Sequence, residues 1–311
     1  MNFHFTELNS TYSIVARDPQ TGQFGVAVQT HQMSVGAGVP WLLPGVGAVA
    51  TQSMTNISFG PTALRMLREG VSATHVIRAL VASDDHENRR QVAVVDAEGR
   101  AAAHTGRGCI AEAGHHVGQG YSVQANMMTR NTVVQAMAKA YEAAEGDLAQ
   151  RMLAALEAAQ AEDGDIRGMQ SAALLVAPAS ITEPAWKRDY NLRVDEHEKP
   201  VEELARLVRN RRAQLVDEEG HKLLEQGQHH EAILKWAEAR AIAPEQEELP
   251  FWQAMTLADK PGDIEAAVAL LKPMLAKDAR REEWIELIRR LANCGLLERE
   301  GADTDLIKLL G

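Results

Sequence analysis

The grammar of the chain changes at Lys199-Pro200, and this break constrains the fold more than any other feature. Before it, short apolar runs alternate with glycine- and proline-punctuated turns, as strands do; after it only helical spacing remains. A chain of 311 residues is long for one ordinary domain and fits two. The expected organisation is a leader over residues 1–10, a mixed domain over 11–200 and an all-helical domain over 201–311.

In the first domain Thr11 to Asp18 reads as a buried strand stopped by Pro19, and Gln20-Thr21-Gly22-Gln23 turns it into a second strand, Phe24 to Thr30. Val35 to Gln52 holds further short strands. Gly60-Pro61 opens a helix to about Glu69, and Ser72 caps another that carries Val76, Ile77, Leu80 and Val81 on one face. Gln91 to Asp96 and Arg100 to His104 form a hairpin, and Tyr121 to Asn126 is a strand. Alanine-rich helices follow at about 131–144 and 147–162, then the apolar strand Gln170 to Ala177. Helix pairs between strand groups predict an α+β protein. A four-layer αββα sandwich is the leading arrangement, with an ordinary α+β fold as the alternative.

Beyond Pro200, Glu202 to Asp217 is one amphipathic helix. Gly220, Leu223, Gly227, Ala232, Trp236, Ala239 and Pro244 then fall at the spacing of a tetratricopeptide repeat. The small residues allow close helix approach and Trp236 fills the space between. Weaker copies follow (Gly262, Ala267, Leu271, Met274), then a lone helix from Glu282 to Asn293. The groove of such a module suits a protein or peptide partner; the plainer reading is a helical bundle without one.

A formal net charge of −11 argues against nucleic acid and anionic membrane as partners. No window approaches a membrane span and no signal peptide is indicated. Cys109 and Cys294 fall in different domains, so a disulfide is not expected and a reducing cytoplasm is the default.

The segments TYSIVARDPQTGQFGVAVQT, GVGAVATQ, NISFG, AAAHTGRGC, AGHHVGQGYSVQAN, GDIRGMQSAALLV and YNLRVDEH together resemble the bacterial family known as domain of unknown function 1028, over roughly Thr11 to Arg212. That resemblance implies a fold similar to proteasome subunits and other N-terminal nucleophile (Ntn) hydrolases, with members commonly beginning at the threonine that corresponds to Thr11. It implies no substrate. This chain departs from the pattern twice. Residues 1–10 precede Thr11, with Ser10 where proteasome-type precursors usually carry glycine, and no lysine occurs before Lys139.

The candidate nucleophile is Thr11, whose hydroxyl attacks an amide while its own freed α-amine takes the proton, a task suited to a pKa of about 7.7–8.0. Its exposure requires scission of the Ser10–Thr11 bond. Ser13 faces the same side of the strand and reads as a lesser nucleophile or a hydrogen-bonding neighbour. Arg17 could supply the positive charge that the missing lysine does not, Asn126 an oxyanion donor, and Ser171 a proton route to Thr11. Gln52, Asn56, His104 and Gln170 are candidate substrate-binding residues, and Arg167 a carboxylate clamp. Arg193, Asp195 and His197 alternate on one face of an extended segment that either reaches the pocket or is an exposed edge. Each of these residues also has a plain structural reading as a turn, cap or loop tie.

Three functions stay open. The first is an Ntn-type amidohydrolase acting on a small amide or peptide-like bond, without cofactor or metal. The second is a non-catalytic relative that holds a ligand in its pocket and a protein on its repeats, and a homo-oligomer is compatible with either. The third is metal-assisted hydrolysis at His31, His104, His115 and His116, which lack the usual ligand spacings.

Overall fold

The computed structural model describes residues 8–276 and 279–311. Contacts divide the chain into two compact units, residues 1–208 and 209–311. The division falls inside a helix rather than at Lys199-Pro200.

The first unit contains β1 (Leu8–Asn9), β2 (Thr11–Arg17), β3 (Phe24–Thr30), β4 (Pro40–Leu43), β5 (Gly47–Met54), α1 (Phe59–Arg68), α2 (Ala73–Ala82), β6 (Arg90–Asp96), β7 (Ala101–Thr105), β8 (Gly114–Gly118), β9 (Tyr121–Asn126), α3 (Val133–Ala143), α4 (Leu148–Ala161), β10 (Ser171–Ala177) and β11 (Tyr190–Val194). One antiparallel sheet runs β1-β5-β6-β7, with β4 also on β5; the other runs β11-β10-β3-β2-β9-β8. β8 was not foreseen, because the alternation of Gly114-His115-His116-Val117-Gly118 carries almost no apolar signal.

The two sheets lie face to face. Val15, Val26 and Val28 from one meet Ala48, Ala50, Ala93 and Val95 from the other in a shared core. The outer face of the first sheet, with Val49, Val92 and Val94, packs on Phe59, Leu64, Val76 and Leu80 of α1 and α2. α3 and α4 cover the outer face of the second sheet. Gly25 marks how close that packing is, since a Cβ there would overlap the Met152 side chain. Every residue of β5 and β3 is buried, because each strand lies between a sheet and a helix layer.

The second unit is all-helical: the end of α5 (Pro200–Glu225), α6 (His229–Ile242), α7 (Glu248–Asp259), α8 (Ile264–Leu275), α9 (Arg281–Asn293) and α10 (Ala302–Leu310). Two expectations are corrected. The helix expected to end near Asp217 continues through Gly220 to Glu225, since a single glycine costs a helix only about 1 kcal/mol and packing recovers it. The helix expected to be last is followed by α10, whose Ala302, Leu306 and Leu310 enter the same core. No helix among the described residues is long and apolar enough to cross a membrane.

Candidate functional site

The hairpin turn after Asp18 sets the register of β2 on β3, and that register places Thr30 opposite Thr11. On the other side Thr11 faces Asn126 of β9. Thr11 therefore heads a central strand and is fully buried, as are Ser10 and Ser13. Its hydroxyl donates to Thr30 Oγ1 at 3.4 Å. The Thr30 hydroxyl in turn donates to the Ser10 carbonyl oxygen. The same oxygen is approached by Arg167 Nη2 at 3.4 Å. The carbonyl of the Ser10–Thr11 peptide thus sits between a hydroxyl and a guanidinium, with the Thr11 hydroxyl one hydrogen bond away.

Arg167 is held in place from behind. Asp165, whose side chain is fully buried, pairs with Arg167 Nη2 at 3.0 Å and also accepts from its Nε and its backbone amide. Asp165 Oδ2, the oxygen that meets Arg167 Nη2, also accepts from the His31 amide at 2.9 Å, tying the turn that follows β3 to the same carboxylate. Buried carboxylates persist when paired and hydrogen-bonded in this way. Burial, with the Asp165 charge nearby, also raises the Tyr12 phenol well above its ordinary value; its hydroxyl donates to Gln160 at 3.0 Å.

Behind Thr11 the two sheets are joined by amides rather than by aliphatic side chains. Gln52 Nε2 donates to the Thr11 carbonyl at 3.2 Å and to Gln91 Oε1 at 2.8 Å, while its oxygen accepts from Ser13 Oγ at 2.6 Å. Asn126 Nδ2 donates to Gln91 Oε1 at 2.9 Å and to the Thr11 carbonyl at 3.4 Å. Gln124 donates to Ser13, and Gln91 Nε2 donates to the Ala125 carbonyl and to Thr105. A buried, mutually satisfied network of this kind fixes the head of β2.

Local backbone strain concentrates here. Among the described residues, four that are not glycine have positive φ: Ser34, Ser53, Met127 and Asp163. Ser53 pairs with Asn9 just before the junction, and the Met127 carbonyl accepts from Ser10 Oγ at 3.1 Å. Ser34 lines an open cleft of about 470 Å³ whose wall includes Thr30, Val35, Val39 and Thr55, with exposed Met33 and Ile57 at its rim. Such conformations cost on the order of 1–3 kcal/mol each and gather at functional sites.

Several expected roles are corrected by position. Arg17 stands at the far end of β2, roughly 20 Å from Thr11 at about 3.3 Å per residue, where it lies over the Phe24 ring. Arg167 carries the positive charge instead. Ser171 faces Thr30 and so lies two strands from Thr11, and its hydroxyl is spent on the Gln32 carbonyl and the Val35 amide. Asn56 ties its own loop, donating to Asp84 at 2.9 Å and accepting from Ser58. His104 hydrogen-bonds the Glu87 carbonyl at 2.8 Å and lines a separate surface cleft with Asp84 and Asp85. Gln170 extends the pairing of β10 through its backbone, donating to Thr30 and accepting from His197. Arg193 of the edge strand β11 and Asp195 just beyond its end form an ion pair at 2.8 Å, against the Ser34–Gly36 turn. Gln52, Asn126 and Ser13 do converge beneath Thr11, but within the amide network rather than facing open space.

His115 is hydrogen-bonded to Thr105, and burial and the neighbouring His104 and His116 hold its imidazole below the ordinary value. Among the described residues, no three His, Cys, Asp or Glu side chains converge as a metal site would require. Sequence reasoning missed Thr30, Asp165, Gln91 and Gln124. Thr30 was legible, because counting outward from the hairpin turn pairs it with Thr11; Gln91 depends on how the two sheets meet, Gln124 on the pairing of β2 with β9, and Asp165 on the meeting of its turn with His31.

Fold and site together define a mixed α+β protein with antiparallel sheets, a buried threonine heading a central strand and a C-terminal helical region. The chain belongs to the Family of unknown function (DUF1028), which matches residues 11–204. It is similar to the crystal structure of a DUF1028 protein from Silicibacter pomeroyi, with 31% identity and a TM-score of 0.58, over 64% of this chain and 88% of that one. No curated protein matches it.

Proposed function

We propose that the first unit is an αββα sandwich of the Ntn-hydrolase type and that Thr11 is its nucleophile, exposed by scission of the Ser10–Thr11 bond. The observation that carries this reading is the Ser10 carbonyl held by the Thr30 hydroxyl and Arg167, with Thr11 Oγ1 donating into the same group. Thr11 Oγ1 attacks the Ser10 carbonyl carbon while its proton passes through Thr30 to the carbonyl oxygen. The C–N bond then breaks as that proton passes from the oxygen to the nitrogen, the C=O re-forms, and an ester links Ser10 to Thr11. Water hydrolyses that ester, leaving a Ser10 carboxylate and a free Thr11 α-amine. In turnover the α-amine accepts the hydroxyl proton, and Thr30 and Arg167 stabilise the oxyanion.

Intact mass of the purified protein tests this directly. A species beginning at Thr11, absent from Thr11→Ala, supports it. An amidase that is active at full length would overturn it.

The second unit is proposed to be tetratricopeptide-like. Support comes from the tight crossing at Gly220, where a Cβ would overlap the fully buried Trp236, and from three successive helix pairs ending in α9 and α10. Residence in a reducing compartment is part of the same proposal, supported by two free thiols, Cys109 and Cys294.

A further inference from the structure

The residues just before Thr11 occupy a defined place. β5 uses one edge for β6 along residues 47–53. Its other edge carries β4 along residues 47–50 and then Leu8–Asn9, which pair antiparallel with Met54 and Ser53. The chain leaves the first sheet at Asn9, crosses at Ser10, and enters the second sheet at Thr11. Loss of residues 1–10 would leave the Ser53–Met54 edge with unpaired backbone groups directly beside the nucleophile. An open edge of this kind is a template for another extended chain.

The seat of Ser10 adds a second constraint. Its side chain is fully buried, and its hydroxyl donates to the carbonyl oxygens of Asn126 and Met127, both at 3.1 Å. Two acceptors converging on a closed, small space suit a small side chain that donates. A bulky, apolar or acidic group there would leave both carbonyls facing no donor.

We infer that the substrate of exposed Thr11 is an extended peptide, which pairs as a strand with Ser53–Met54 and is cleaved after a serine seated where Ser10 lies. This rests on the Thr11 reading and narrows it to a peptide hydrolase whose own leader is its first substrate. Thr11 Oγ1 bonds to the serine carbonyl carbon, the peptide C–N bond breaks, and the departing amine takes the proton held by the Thr11 α-amine. Water then cleaves the ester and regenerates the hydroxyl.

The test gives the processed protein a set of peptides related to residues 1–14, Met-Asn-Phe-His-Phe-Thr-Glu-Leu-Asn-Ser-Thr-Tyr-Ser-Ile, with cleavage sites read by mass spectrometry. Cleavage after the serine at position 10 is expected. It should fall at least tenfold with valine, leucine or aspartate at that position, and at least tenfold when the backbone nitrogens of residues 8 and 9 are methylated. The peptide ending at Ser10 should compete as product. Processed protein that hydrolyses acetyl-serine anilide as fast as the long peptide, or ignores the residue at position 10, overturns this inference and leaves the Thr11 reading standing. A protein that never exposes Thr11 overturns both.

Discussion

The Thr30 hydroxyl donates to the carbonyl oxygen of Ser10, the residue immediately before the head of the neighbouring strand. Thr30 and Thr11 face each other only because the hairpin turn fixes one register. A slip of one residue would put the two hydroxyls on opposite faces of the sheet. The chemistry proposed for Thr11 is therefore a property of the hairpin as much as of the threonine.

Thr30→Val keeps the shape and removes the donor, so scission at Ser10–Thr11 should slow by about 10²–10³-fold, the usual loss for one oxyanion donor. Thr30→Ser should retain most of the rate. The ratio of full-length to shortened mass, followed over time after purification, measures both. Equal rates in the valine variant would remove Thr30 from the mechanism.

Arg167→Lys preserves charge but cannot keep the fork on Asp165 while reaching Ser10. Scission should fall by about tenfold or more, since a lysine is a point charge rather than a planar donor pair. Thermal stability should fall by only about 1 kcal/mol, as the guanidinium is one-third exposed. A scission rate unchanged from wild type would assign Arg167 to turn structure alone.

Gln91 links the two sheets, accepting from Gln52 and Asn126 and donating to Ala125 and Thr105. Gln91→Met fits the space but takes one acceptor from each of two buried amides, Gln52 and Asn126. The expected destabilisation is about 2–4 kcal/mol, at roughly 1–3 kcal/mol per unsatisfied group. Urea unfolding of the Thr11→Ala background, where no scission complicates the transition, gives the value.

Burial pushes the Asp84 carboxyl up, but hydrogen bonds from Asn56, Arg90 and the His86 amide, with the Arg90 charge, outweigh it and hold the group below its ordinary value. A lowered folded value contributes stability above the unfolded carboxylate pKa of about 3.9, and that stability is lost as pH falls through the folded value. Asp84→Asn should then be less stable than wild type at pH 7 by about 1 kcal/mol. The difference should close below about pH 4. Parallel melts across that range, showing a gap that instead widens in acid, would refute the assignment.

Trp236 is buried against Gly220, so Trp236→Ala should cost about 3–5 kcal/mol and Gly220→Ala about 1–3 kcal/mol through overlap with the indole. Calorimetry should show the loss in a transition separate from that of residues 1–208. One shared transition, shifted as a whole, would mean that the units melt together.

Local pattern determined a good deal of this protein. Alternation and turn chemistry located β2, β3 and β10; the change of spacing after Pro200 marked the helical region; and Thr11 stood out as the residue heading a strand. These features are written in residues within one turn or one strand of each other. What the tertiary structure decided is which side chains share a space. Arg17 and Arg167 look alike as charges in the sequence, yet strand length carries one to the far end of β2 and a buried Asp165 delivers the other to Ser10. The roles of Gln52, Gln91 and Asn126 arise from the meeting of two sheets, and that of Gln124 from the pairing of β2 with β9, with partners up to 115 residues apart. A glutamine in a strand has no local signature for that, because its energy depends on a partner that only the packed sheets supply.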